Sequence, residues 1–179
     1  MEKREEHSRL ILVLFLCFML WNILQILAPL AISSHTAEDL TGVVGVADND
    51  HLIEQMPVPW NAIYGCGDRL CHQIAERSLF INGNQMPFCS RCTAIWFGFM
   101  IGLGIVFLYT IELDEKILVL ILFGIIPLAV DGVGQQLQLW QSTNSIRVAT
   151  GLLTGTVCGV TIGVIIDEIN AIRQVKPSN

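Results

Sequence analysis

Apolar residues gather along this chain in long runs, and polar residues collect in the gaps between them. Four stretches stand out: Leu10–Ile32, Thr93–Ile111, Ile117–Val133 and Val148–Ile166. A helix needs roughly 20 mostly apolar residues to cross the hydrocarbon of a bilayer, so each stretch predicts a membrane-spanning helix. The third is the weakest of the four, because Asp131 interrupts its end. The pattern predicts an all-α polytopic membrane protein with four transmembrane helices. A single sizeable extramembrane loop, Ser33–Phe88, lies between helices one and two. Residues 1–32 form an N-terminal membrane anchor, 33–60 an extramembrane linker, and 61–179 a motif-bearing loop followed by a three-helix membrane domain.

Composition agrees with this class. The chain has 179 residues, 53% hydrophobic and 15% charged, against about 25% charged in an ordinary soluble domain. Met1–Arg9 carries Lys3, Arg4 and Arg9 ahead of the first apolar run, as a signal sequence does. That run is too long for a signal core of about 7–15 residues, so an uncleaved anchor is expected. The net charge of −6 is spread along the chain. No basic stripe suggests nucleic acid, and there is no glycine-rich phosphate loop or dinucleotide fingerprint. The expected partner is membrane lipid.

Lys and Arg accumulate on the cytoplasmic side of membrane proteins. With the N-terminus inside, the inner segments hold Lys3, Arg4, Arg9, Lys116, Arg173 and Lys176, and the outer ones Arg69, Arg77, Arg91 and Arg147. The bias favours a multi-pass protein of the cell membrane with both termini cytoplasmic and the long loop outside. One consequence does not depend on orientation. Helices two and three form an up-and-down hairpin, so the loop before the one and the loop after the other share a membrane face. Cys71, His72, Cys89, Arg91 and Cys92 therefore converge with Asp131, Gln135, Ser142, Asn144 and Arg147. The turn at Glu112–Lys116 faces the opposite side.

Small residues recur at every fourth position in two of the helices: Ala94, Gly98 and Gly102 in the second, and Gly151, Gly155, Gly159 and Gly163 in the fourth. Such ridges let helix backbones approach closely in lipid, where little hydrophobic drive exists between helices. In the loop, Asn61–Leu79 is expected to be a helix frayed by Gly65 and Gly67. With Asp68 as a cap, His72 and Glu76 would share one helical face. Asn82-Gly83 is a tight-turn signal that returns the chain toward Cys89.

Of six cysteines, Cys17 and Cys158 lie in apolar runs and read as small buried residues. The other four, Cys66, Cys71, Cys89 and Cys92, cluster outside or at the interface. Cys71, Cys89 and Cys92, with His72 or Cys66 as the fourth ligand, suit zinc, which favours tetrahedral sulfur and nitrogen sites. The same atoms suit thiol–disulfide exchange coupled to a quinone, with Cys66 and Cys71 as a second pair. A third reading is structural: disulfides that tie the loop to helix two. Asp131 is an ionisable group in a span and a functional candidate for that reason; pairing with Arg91 or Arg147 is the structural alternative. Gln135 follows it one turn later. Asn144 and Arg147 open helix four, as a cap and a snorkelling cation or as part of a site. Arg77, Arg91 and Arg147 on one face would suit a phosphate or carboxylate group, since guanidinium binds both in forked fashion.

These residues carry a resemblance. Cys71-His72-Gln73, Glu76-Arg77-Ser78, Pro87-Phe88-Cys89-Ser90-Arg91-Cys92-Thr93, Pro127, Asp131-Gly132 with Gln135, and Ser142 with Asn144, Arg147 and Thr150-Gly151 resemble small prokaryotic membrane proteins catalogued as domain of unknown function 2085. The resemblance runs from about Tyr64 to Gly163 and brings no established activity. From the residues themselves come three expectations. One is a zinc-dependent membrane enzyme with Asp131, Glu76 or His72 moving protons and Arg77, Arg91, Gln135, Asn144 and Arg147 holding an anionic or lipid-like substrate. The others are a membrane thiol–disulfide oxidoreductase and a non-enzymatic scaffold or transporter subunit.

Overall fold

The computed structural model describes residues 2–111 and 114–175. Glu112 and Leu113, in the turn expected between helices two and three, lie outside the described residues, as does Lys176. The order of elements is α1 (Glu2–Ala31), α2 (Asp50–Ile53), α3 (Trp60–Leu70), a 3-10 turn (Ala75–Arg77), β1 (Ser78–Ile81), β2 (Asn84–Cys89), α4 (Ser90–Leu108), α5 (Glu115–Gln136) and α6 (Asn144–Val175). Four helices are long and apolar enough to cross a membrane: Arg9–Ala31, Ser90–Leu108, Glu115–Gln136 and Asn144–Ile172. The protein is mostly helical and polytopic, as its apolar runs imply.

The glycine ridges of α4 and α6 meet. A Cβ on Gly98 would fall 2.7 Å from the Thr156 backbone nitrogen, and one on Gly151 2.6 Å from the Arg91 carbonyl oxygen. Gly102, Gly155 and Gly159 are equally pressed against facing backbone. Van der Waals contact along this seam joins the two helices where lipid offers no hydrophobic incentive. Helix α1 lies against the other side of α4, with Ile11, Leu103, Val106, Val160 and Val164 buried between the spans. Helix α5 packs on α6 through Gly124, whose carbonyl accepts a 3.0 Å hydrogen bond from Thr154 Oγ1. Its other side, including Leu118, Leu122, Phe123 and Val130, is exposed and apolar.

Above the spans sits a small cap. Ala28 and Ile32 of α1 pack with Leu40, Ile53, Ile63 and Tyr64. Beside this core, β1 and β2 form an antiparallel hairpin with Ser78 opposite Cys89. The hairpin turns through Asn82 and Gly83, both at positive φ (55° and 73°), as the sequence signal implies. All six residues of β2 are buried although two of them are amides. Asn84 explains part of this. Its Nδ2 donates to the carbonyls of Pro29 and Ser33 at 3.0 Å, and its Oδ1 accepts from the Thr36 and Ala37 amides. It thus satisfies carbonyls at the end of α1 that the helix itself leaves open. Gln85 does the same for Leu40 on both its N–H and its carbonyl.

Several sequence expectations are corrected, among them the burial of two cysteines: Cys17 is exposed and Cys158 only half-buried. The helix expected over Asn61–Leu79 ends at Leu70, and the chain is a strand from Ser78. Cys71 is extended (φ −141°, ψ 145°) and Gln73 has φ 42°, so the helix cannot continue. Gly67 belongs here because a Cβ would lie 2.8 Å from the Pro87 carbonyl carbon of β2. Asp68 does not cap a helix from Arg69. It lies inside α3, and its carboxylate accepts from the Asn49 amide and side chain at 3.2 and 2.5 Å. His72 and Glu76 therefore share no helical face.

Candidate metal centre

The hairpin sets the sulfurs. Cys71 closes α3, its N–H donating to the Gly67 carbonyl at 2.9 Å. The β1–β2 turn then brings Cys89 back beside it, and the Cys89 amide lies 3.4 Å from Cys71 Sγ. Cys89 is the N-cap of α4, and Cys92 follows three residues on, on the same helical face. The three sulfurs all lie within 4.8 Å of one another. Zn–S bonds near 2.3 Å place tetrahedral sulfurs about 3.8 Å apart, so the cluster has the size of a zinc site. Cys71 and Cys89 are buried and Cys92 is half-buried. Phe88 and Trp21 pack over them.

The electrostatics single out Cys89. Hydrogen bonds from Cys71 and Cys92 to its sulfur hold its thiol far below the usual value. The same contact pushes Cys71 up, because one thiol must keep its proton to donate. The N-terminus of α4 adds to the preference for a thiolate at this position. His72 stands outside the group of mutually close donors. Its Nδ1 lies 3.7 Å from Cys71 Sγ, so it addresses one sulfur rather than the common centre. Cys66 is exposed on α3 and lines a separate cavity with Asp50, Glu54 and Arg69. The backbone that buries Ile63, Tyr64 and Gly67 turns it away from the other three.

The second group of candidate residues also converges, on the opposite side of the first turn of α4. Arg91 forms an ion pair with Asp131 of α5. Asp131 also accepts from Gln135 Nε2 at 3.0 Å and from Trp140 Nε1 at 3.4 Å. Gln135 Oε1 accepts from Arg147 at 3.0 Å, and Arg147 also donates to Asn144 Oδ1 at 3.0 Å. Asn144 donates to the Ser78 carbonyl at 3.2 Å, and Ser90 Oγ donates to the Arg77 carbonyl at 2.8 Å. Loop, α4, α5 and α6 are thus joined on one membrane face, as the hairpin argument requires. Asn144 is the first helical residue, and Thr143 provides the cap to Ile146. Arg147 turns inward to Gln135 instead of snorkelling. Glu76 is exposed on the 3-10 turn.

Removing half of the buried ion pair strands the other half. Asp131→Asn is expected to destabilise the protein by about 3 kcal/mol, measured by unfolding in mixed micelles. In a double-mutant cycle with Arg91→Gln the double variant should lose less than the sum of the two single losses. Full additivity would show that the pair contributes nothing.

Sequence reasoning missed Trp21 and named Trp140 only as a neighbour of a quinone pocket. Trp21 of α1 packs on the sulfur cluster, and its indole N–H is buried with no partner among the described residues. Trp140 folds over Gly134 to reach Asp131. A signal for the first was present: Trp21, Asn22 and Gln25 interrupt an otherwise apolar span. Gln25 is fully buried, and neither of its amide atoms finds a partner among the described residues.

The fold and the site define a four-span membrane protein with a three-thiol centre at the mouth of its second span. Residues 71–161, half of the chain, match the family of predicted membrane proteins known as DUF2085, and the chain belongs to it. An uncharacterized protein of Methanocaldococcus jannaschii is 34% identical over 96 residues, which cover 52% of this chain and 61% of that protein. An uncharacterized protein of Methanothermobacter thermautotrophicus is 34% identical over 86 residues, 48% of this chain and 78% of that one. The chain thus spans less than two thirds of the length of the first of these relatives. No solved structure matches it.

Proposed function

We propose that this protein binds one zinc ion through Cys71, Cys89 and Cys92 at the outer face of the cell membrane, with both termini in the cytoplasm. The observation that carries the reading is the convergence of three sulfurs within 4.8 Å. An orphaned donor supports it. Three thiolates around a dication leave one net negative charge, which favours nearby N–H groups. The indole N–H of Trp21 is buried beside the cluster without a partner among the described residues. Zinc with three protein ligands keeps a fourth position for water, substrate or a further ligand such as His72, and when bound it can polarise an ester or activate water. In the enzymatic form of this reading, Cys89 is the ready thiolate and Arg91 fixes Asp131. His72 and Glu76 are the groups on the loop able to move a proton.

Metal analysis and cobalt substitution test the site. Cobalt should give sulfur-to-metal charge-transfer absorption that is lost when Cys71 is replaced by serine. Its absence in the wild type would reject the proposal. Trp21→Phe keeps the ring and removes the donor, and it should weaken zinc about tenfold in a competition assay with a chelator. Unchanged affinity would remove Trp21 from the site.

A second reading is favoured by the Cys89 thiolate held between two thiols. Cys89 and Cys92 would form a disulfide, passing two electrons and two protons to a quinone near Trp96 or Trp140. Thiol trapping at controlled potential separates the two: a reversible Cys89–Cys92 disulfide in metal-free protein supports exchange, and cysteines that stay alkylatable under oxidant exclude it.

A further inference from the structure

Between the 3-10 turn, the end of α5 and the start of α6 lies a cavity of about 450 Å³, lined by Glu76, Arg77, Gln135, Trp140, Ser142 and Arg147 among others. Its volume is that of a small-molecule site. No cysteine lines it, so it stands apart from the metal reading. Arg147 is only 6% exposed, and its guanidinium is held by two neutral acceptors, Gln135 Oε1 and Asn144 Oδ1. A buried charge ordinarily has an opposite charge beside it. The buried acid nearby, Asp131, is already taken by Arg91. Arg77 is half-buried, and its guanidinium makes no ion pair among the described residues. Glu76 is exposed on the 3-10 turn and lines the same cavity, pairing with neither guanidinium among the described residues. Arg77 and Arg147 therefore line one cavity, and neither makes an ion pair with a carboxylate among the described residues.

We infer that this cavity binds a phosphate group, carried by the headgroup of an anionic lipid. Two forked cations lining one cavity offer donors from several directions, which suits a tetrahedral oxyanion better than a flat carboxylate. The lipid source follows from the surroundings. Leu137, Leu139, Trp140 and Ile146 at this end of α5 and α6 are exposed. They form an apolar margin on which acyl chains can lie while the headgroup enters the cavity.

The test uses the full chain in detergent, titrated with dihexanoyl phosphatidic acid, dihexanoyl phosphatidylcholine and inorganic phosphate at fixed ionic strength. Binding is read by calorimetry and by the unfolding midpoint. The phosphatidic acid should bind and raise the midpoint, and the phosphatidylcholine should bind far more weakly. Arg77→Gln, at a half-buried side chain with no ion pair among the described residues, should weaken phosphatidic acid binding about tenfold or more. Glu76→Gln should strengthen it, an effect that damage to the fold cannot imitate. If Arg147→Gln fails to fold, Arg147→Lys keeps the charge and should still bind, more weakly, having lost the fork. Inorganic phosphate binding as tightly as the lipid would overturn the lipid source and leave a free-oxyanion site. Equal binding of both lipids, no binding of either, or full affinity in Arg77→Gln overturns the inference.

Discussion

Protein purified without chelator is expected to carry about one zinc per chain, and Cys89→Ser/Cys92→Ser to carry essentially none. The size of the effect follows from the geometry. Two of three converging sulfurs are lost, and the serine hydroxyls that replace them stay protonated and do not ligate. Cys66→Ser is the matched control: that thiol is exposed on α3 and away from the cluster, so the metal should remain. The loss should also reach the fold. An ion held by ligands from the end of α3, the end of β2 and the first turn of α4 would bring those segments together, so its binding energy would become folding energy. Chelator should therefore lower the unfolding midpoint of the wild type and leave the double variant unmoved. Wild type without stoichiometric metal, or a double variant that retains it, would end the zinc reading. Elemental analysis of the two proteins decides it.

Gly155→Leu should have the largest effect on stability. A Cβ at this position would stand 2.9 Å from the Ile95 carbonyl carbon, with the oxygen nearer still. The obstacle is backbone in the middle of a helix, which has no rotamer to change. The seam between α4 and α6 must open along its length, at a cost beyond about 3 kcal/mol. Leu153→Ala on the lipid-exposed side of the same helix should stay within about 0.5 kcal/mol. Unfolding of both variants in mixed micelles gives the comparison. A folded Gly155→Leu protein of wild-type stability would mean that the two ridges do not bear on each other.

The spans were legible because a bilayer asks one simple question of a sequence, whether enough apolar residues follow one another. The seam was legible because glycine at every fourth position has few other uses in lipid. The shared membrane face of Arg91 and Asp131 followed from counting crossings. The cap was harder to read. Asn84 and Gln85 look like loop residues, yet they are buried because their amides complete backbone bonds at Pro29, Ser33 and Leu40. Partners 45 to 55 positions away in sequence leave no periodic trace. The division of the cysteines was hidden for a related reason. Cys66 and Cys71 are close in sequence, but α3 ends between Leu70 and Cys71, and only the second turns toward Cys89. Spacing alone does not show where a short, glycine-containing helix stops. Trp21 lay in plain view within an apolar run, but its neighbours belong to a segment more than 50 positions downstream.

The first turn of α4 carries Cys89 and Cys92 along one edge and Arg91 along the other, wedged between the sulfur cluster and the acid of α5. Two clusters thus hang on one helical turn, so a substitution that shifts its backbone is expected to reach the sulfurs and the Arg91–Asp131 pair together.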